Sequence, residues 1–137
     1  MKTAVIYRSF LGATKQYAKW LGEDLGADVF TFRQIADDKL SGYDAVIISS
    51  GTYAGWMPLM GFLKKKWDVI KDKKVAVLAV GSVEPEHPGS KIVYEKIPPE
   101  IRGKIKYFKV WGKMCDKEKP ERGVKKENLA EVEKLFQ

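Results

Sequence analysis

Cysteine and histidine are nearly missing from this chain: it has one of each among its 137 residues, Cys115 and His87. A lone cysteine excludes an intramolecular disulfide and any thiolate metal cluster held within the chain. A lone histidine excludes a His-rich metal site. Long apolar runs are also missing, and none approaches the roughly 20 residues that span a bilayer. The opening "MKTAVIYRSF" reaches a turn too early for a secretory signal, and no small-residue cleavage site follows it. The cytoplasm is the expected location. There is no Walker sequence and no dinucleotide fingerprint, and no zinc finger or RNP-like aromatic motif either. Nucleic acid is therefore not an expected partner. Chemistry has to come from carboxylates, hydroxyls, backbone groups or a bound cofactor.

What is present is an ordinary globular mix, 45% apolar and 31% charged, with a net charge of +7. The charge raises the question of an anionic partner. Much of it lies in Lys64, Lys65 and Lys66, in Lys71, Lys73 and Lys74, and in the stretch 113–128, "KMCDKEKPERGVKKEN". There the lysines are interleaved with acids and fall at helix ends and loops, which is how a solvated surface reads. That last stretch still has the charge to touch an anionic membrane surface weakly. No repeat, low-complexity tract or linker divides the chain, so residues 1–137 are expected to form one domain.

Strands and helices alternate along it. Residues 2–8 are short, apolar and β-branched and predict a buried strand. From Ala13 the period changes: Tyr17, Trp20, Leu21 and Leu25 share one helix face, and Gly26 is the expected stop. Residues 27–32 predict a second strand nearer an edge. Residues 33–44 form a polar connection with room for a short helix. Residues 43–50 read as the most clearly buried strand. Pro58 suits the first turn of a helix carrying Met60, Leu63 and Trp67. Residues 73–82 predict a fourth strand, and 91–97 a short helix stopped by Pro98 and Pro99. Residues 104–112 predict a fifth strand and 128–136 a terminal helix. In that helix Asn128 and Glu131 resemble a capping box. Such alternation predicts an open, doubly wound, five-stranded parallel sheet covered on both faces. In sheets of this kind ligands sit outside the carboxyl ends of the strands.

That rule selects three loops. The first, at residues 9–14, links a buried strand to a helix N-terminus, whose unpaired N–H groups and dipole stabilise an anion. Ser9 and Thr14 add hydroxyls, Gly12 lets the backbone approach closely, and no carboxylate lies between Arg8 and Lys19. The bland alternative is a tight turn capped by Ser and Thr. In the second loop, at residues 51–56, Tyr53 and Trp56 stand beside glycines, where an exposed aromatic could stack on a flat ring. The alternative there is that Trp56 and Met57 fold under. The third loop, at residues 81–90, carries Glu84, Glu86 and His87 at a spacing that matches no usual metal site. No metal and no catalytic side chain are assigned.

With these loops placed, the chain resembles the flavodoxin family. The resemblance rests on the hydroxyl-x-x-Gly-x-Thr loop after the first strand and the Gly-Thr-Tyr-Ala-Gly loop after the third. "YRSFLGATKQYAKWL" and "YDAVIISSGTYAG" look most like the short branch that includes menaquinone-dependent protoporphyrinogen dehydrogenases. The resemblance implies strand order 2-1-3-4-5 and non-covalent FMN. By position, Ser9, Phe10, Leu11, Gly12, Ala13 and Thr14 would hold the FMN phosphate. Thr52, Tyr53, Ala54 and Gly55 would line one side of the ribityl chain and ring, with Trp56 as a ring partner. Gly81, Ser82 and Val83 would approach the other edge. The flavin would supply the electron chemistry and the protein would tune it.

The chain departs from the family pattern in its basic charge, in the bulky Phe10 and Leu11, and in a late segment too short and charged to offer apolar area to a porphyrin or quinone. A response regulator would need acidic residues where Tyr7, Arg8 and Ser9 stand. A small tyrosine phosphatase would need a cysteine loop after the first strand, whereas Cys115 comes late and Arg122 lies one residue too far from it. The reading adopted is an FMN protein passing electrons between redox partner proteins. Two others stand beside it: an FMN-dependent oxidoreductase acting on a small molecule such as protoporphyrinogen or a quinone, and a flavodoxin-fold interaction protein without FMN.

Overall fold

The structure is a computed structural model that describes residues 1–9, 12–53, 55–81, 88–112 and 123–137. Its strands are β1 (Thr3–Arg8), β2 (Asp28–Thr31), β3 (Ala45–Gly51), β4 (Lys74–Gly81) and β5 (Lys106–Trp111). They form one parallel sheet in the order β2-β1-β3-β4-β5. The helices are α1 (Ala13–Leu25), α2 (Asp37–Leu40), α3 (Leu59–Ile70), α4 (Pro88–Glu95), α5 (Pro99–Arg102) and α6 (Ala130–Phe136), with a 3-10 turn at Lys126–Leu129 before α6.

The near-continuous apolar runs of β3 and β4 are explained by cover on both faces. On one face Ile6, Val46, Ile48, Val77 and Ala79 pack with Leu59, Phe62 and Leu63 of α3 and Val93 of α4. On the other, Val5, Ile47, Ala76, Leu78 and Val110 pack with Tyr17, Ala18 and Leu21 of α1 and Leu129, Val132 and Phe136 near the C-terminus. Consecutive residues of one strand thus serve opposite cores, as the two-residue period of a strand requires. β2 is the short edge strand expected from its polar sequence, and its Val29 is exposed. Among the described residues no helix is long and apolar enough to cross a membrane.

Gly26 ends α1 as expected: it is left-handed (φ 62°) and its N–H donates to Gly22 O. Other boundaries differ from the sequence reading. α4 begins at Pro88 and ends at Glu95. Pro99 does more than end a helix, because it opens α5 at a position where no N–H is needed. Asn128 does not cap α6. It lies in the 3-10 turn, and its Nδ2 donates to Tyr17 Oη at 2.9 Å and to Gly123 O at 3.2 Å. A tertiary partner has taken the side chain that local spacing assigned to a cap.

Tyr17 is the centre of that arrangement. Its fully buried hydroxyl donates to Trp111 O at the end of β5 and accepts from Asn128 Nδ2 and, at 3.4 Å, from Lys125 N. Burial pushes its pKa up. Tyr17→Phe keeps the ring and strands these partners, so stability should fall by about 1–2 kcal/mol. A urea titration with an unchanged midpoint would contradict the role assigned to this hydroxyl.

Candidate functional site

The three loops singled out by the sequence all leave the carboxyl edge of the sheet. At the first, β1 ends at Arg8 and α1 begins at Ala13. Gly12 takes φ +91°, the left-handed region that favours glycine, and its N–H donates to Ser9 Oγ at 3.0 Å. The first bond of the helix runs from Gln16 N to Gly12 O. The N–H groups of Ala13, Thr14 and Lys15 therefore have no helical carbonyl ahead of them. Thr14 is buried (3% exposed), and a Cβ added at Gly12 would meet nothing within 4 Å.

Beside this turn lies a cavity of about 550 Å³, lined by Ser9, Gly12 and Lys15 with Tyr7 and Arg8 of β1, and by Thr31, Phe32 and Arg33 at the end of β2. Three of these side chains, Arg8, Lys15 and Arg33, are cations, and none is a carboxylate. The contribution from the end of β2 was not legible in the sequence, because only the sheet order brings Arg33 beside the first loop.

The second loop is folded tightly on itself. Tyr53 N donates to Trp56 O at 2.6 Å and Trp56 N to Tyr53 O at 3.0 Å, with Gly55 at φ +81°. Lys96 reaches from beyond α4 to donate to Gly55 O at 2.8 Å. Trp56 and Met57 divide the alternatives left open above. Met57 is buried (1% exposed) and folds under, while Trp56 stays 52% exposed, its ring 6.2 Å from that of Tyr53. Tyr53 lies over Gly51, where an added Cβ would fall 2.4 Å from Tyr53 Oη. Burial pushes the Tyr53 hydroxyl up, and nearby Arg8 partly offsets this.

Beneath the loop, Ser50 does what no residue of α3 itself does: its buried Oγ accepts from Leu59 N at 3.2 Å and so caps the helix from the adjacent strand. Thr52 ties the second loop to the third, donating from N to Val80 O at 2.9 Å and from Oγ1 to the same oxygen at 3.3 Å. At Gly81 a side chain would collide with Thr52 Oγ1 and with Lys109 Nζ, at 2.5 and 2.4 Å from an added Cβ. Lys109 was not among the residues suggested by the sequence. It comes from β5, and its ammonium donates to Thr52 Oγ1 at 2.9 Å. Burial lowers its pKa to about 8.

The structure thus brings Ser9, Gly12, Ala13 and Thr14 together at one end of the edge, and Thr52, Tyr53, Gly55, Trp56 and Gly81 at the other. Phe10, Leu11, Ala54, Ser82 and Val83 lie outside the described residues, as do Glu84, Glu86, His87 and Cys115. Among the described residues no group of three or more His, Cys, Asp or Glu could hold a metal ion.

Comparison with known proteins agrees with this geometry. Residues 4–119 match the family model described as the flavodoxin domain. No curated protein matches the chain significantly. Among solved structures, a flavodoxin from Streptococcus pneumonia TIGR4 is 17% identical, with a TM-score of 0.69 over 99% of this chain and 95% of that one. A flavodoxin from the domain Archaea is 19% identical, with a TM-score of 0.63 over 99% and 94%. The Fusobacterium nucleatum flavodoxin, solved bound to flavin mononucleotide, is 16% identical, with a TM-score of 0.60 over the whole of both chains.

Proposed function

The chain belongs to the flavodoxin domain family, and from that premise we propose that it binds FMN without a covalent bond and carries electrons between partner proteins. The observation that carries the proposal is the cationic, carboxylate-free cavity against the N-terminus of α1, at the edge where Trp56 also stands exposed. The donor set fits the cofactor at both ends. A phosphate dianion needs N–H donors and positive charge, and it would find the first N–H groups of α1 with Ser9, Thr14, Lys15 and Arg8 around them. Phe10 and Leu11 add no side-chain donor, so in this reading their contribution is through the backbone. A flat ring needs an aromatic face and close backbone approach; Trp56 and Tyr53 offer the first and Gly55 the second, with Gly81 at the other edge in this reading. Thr52, Ala54, Ser82 and Val83 complete the set in this reading. The bound flavin would supply the redox chemistry, while the residues of this chain bind and orient it and set its electrostatic surroundings.

No catalytic acid or base is assigned. The whole stretch 1–137 is read as one domain acting in the cytoplasm, with redox proteins as partners. Flavin titration into the purified protein, followed by absorbance and fluorescence quenching, tests the reading. Saturable binding at micromolar protein is expected, and its absence overturns the proposal in favour of an interaction protein without FMN.

A second reading, oxidation of protoporphyrinogen or reduction of a quinone, is favoured by a cavity of about 390 Å³ between α4 and β5. It is lined by Tyr94 and Tyr107 with Lys91, Arg102 and Lys106, and it reaches Lys109. It would offer a small anionic substrate aromatic contacts and positive charge close to the ring end of the site. Mixing reduced holoprotein with quinones and oxidised protein carriers, and oxidised holoprotein with protoporphyrinogen-type substrates, separates the two readings. Faster oxidation by a carrier supports the shuttle.

A further inference from the structure

Lys109 is a partly buried cation that the reading above does not use. A lysine partly buried on an edge strand carries a desolvation cost, and it usually turns its ammonium out to water. Here β5 places it two residues before its carboxyl end, beside the cavity between α4 and β5. Its Nζ is held inward, 2.9 Å from Thr52 Oγ1. It fills the space above Gly81 that a side chain there would occupy. Thr52 does not require this contact for its own satisfaction, since its hydroxyl also reaches Val80 O. The contact therefore fixes the lysine at the junction of the second and third loops. Near that junction, the charged residues lining the adjoining cavity are Lys91, Arg102 and Lys106, all cations.

We propose that Lys109 sets the reduction potential of the bound flavin: its ammonium, held between Thr52 and Gly81 at the ring end of the site, favours the flavin that has gained negative charge over the oxidised one. The inference rests on the FMN reading. Uptake of two electrons and one proton leaves the ring system with one negative charge more than before. The electrons come from a reduced partner protein, or from dithionite in a test, and the proton from solvent. A fixed cation nearby lowers the free energy of that product and leaves the neutral oxidised ring almost unaffected. Partial burial strengthens the effect, because the ammonium is screened less than one at the surface. Burial lowers the lysine to about 8, so it still carries its charge at pH 7.

The test is a pair of affinities at pH 7, for oxidised and for dithionite-reduced FMN, in the wild-type protein, Lys109→Met and Lys109→Arg. Lys109→Met should weaken binding of reduced FMN at least tenfold more than binding of oxidised FMN. A tenfold difference lowers the two-electron potential by about 30 mV. Lys109→Arg should restore the wild-type ratio. If Lys109→Met weakens both affinities equally, or neither, the residue is a prop for Thr52 and the inference is overturned while FMN binding stands. If wild-type protein binds no FMN, the inference falls together with the reading beneath it. Lys109→Gln, which keeps a donor for Thr52 without the charge, should follow Lys109→Met. Wild-type behaviour in that variant would overturn the role of charge.

Discussion

Gly12→Asp is expected to weaken FMN binding by at least about a hundredfold, while Gly12→Asn weakens it by less than about tenfold. The two replacements are nearly the same shape. Both must take the left-handed conformation that Gly12 adopts at φ +91°, and Asn and Asp are the side chains that tolerate it best. Neither meets an obstacle, because the space beyond Cα is open to 4 Å. Backbone strain of about 1 kcal/mol is therefore common to both. What differs is one negative charge at the mouth of a helix N-terminus. Two like charges about 5 Å apart at an effective dielectric constant of about 20 repel by roughly 3 kcal/mol, more than a hundredfold in affinity, and a phosphate dianion raises that figure. The carboxylate would also compete with the ligand for Lys15 and Arg8, which line the same cavity. The comparison is made by flavin titration of both variants, with thermal melts to check that the apoproteins lose similar stability. Equal losses of affinity for Asp and Asn would place the phosphate away from Gly12.

Lys109→Met should make the apoprotein more stable at pH 7, by about 2 kcal/mol once partial solvent screening is allowed for, with the gain shrinking toward pH 10. The lysine titrates near 8 in the folded chain, below its ordinary 10.5. Between those values the folded state holds fewer protons than the unfolded one, so wild-type stability rises with pH there. Below about 8 the whole penalty of burying the charge is present. Methionine removes the penalty and flattens the profile. The groups around Lys109 do not cancel the effect. Thr52 is neutral, and the charged side chains lining the adjoining cavity, Lys91, Arg102 and Lys106, include no carboxylate.

Other displaced titrations fall outside the interval. Burial and the neighbouring Asp24 carboxylate push Glu133 up to about 7, so the stability it contributes is lost as pH rises from about 4.5 to 7. Tyr43 and Tyr107 are pushed up to about 12, chiefly by burial, and their contribution declines only above pH 10. Denaturant titrations of both proteins at several values between pH 7 and 10 measure the difference. A Lys109→Met protein less stable than wild type at pH 7 would show that the amine's contact with Thr52 outweighs its desolvation.

Taken together, the two lysine experiments describe one trade. The charge that weakens the empty protein is the charge expected to favour the reduced cofactor. A stabilised variant with an altered potential is the combined result to look for.

The elements that sequence revealed well are those whose local pattern and tertiary role coincide. The apolar run of β3 reads as a two-sided strand because both faces really are covered, by α3 on one side and α1 on the other. The Gly12 turn was legible because its requirement is local: a left-handed residue directly before a helix. Failures came where a distant residue takes over a local task. Ser50 caps α3 across nine positions of sequence. Asn128 is drawn away from α6 by Tyr17, 111 positions earlier. Arg33 and Lys109 enter the site only because β2 and β5 lie where the crossovers put them. A period-two reading of β5 shows that Lys109 alternates with apolar neighbours, but it cannot show that the amine turns inward to Thr52.

The hydroxyl of Tyr17 has a consequence for chain length. Trp111, just before residues 113–122, and Lys125 and Asn128, just after them, meet at this one atom. The two flanks of that interval are therefore fastened at a single point. A loop added there would cost about 0.6 kcal/mol of closure free energy for each doubling of its length. The splice would open beside the carboxyl end of β5, on the same rim as the carboxyl ends of β1, β3 and β4. A new recognition segment grafted there would stand at the carboxyl edge of the sheet and leave the order of the five strands unaltered.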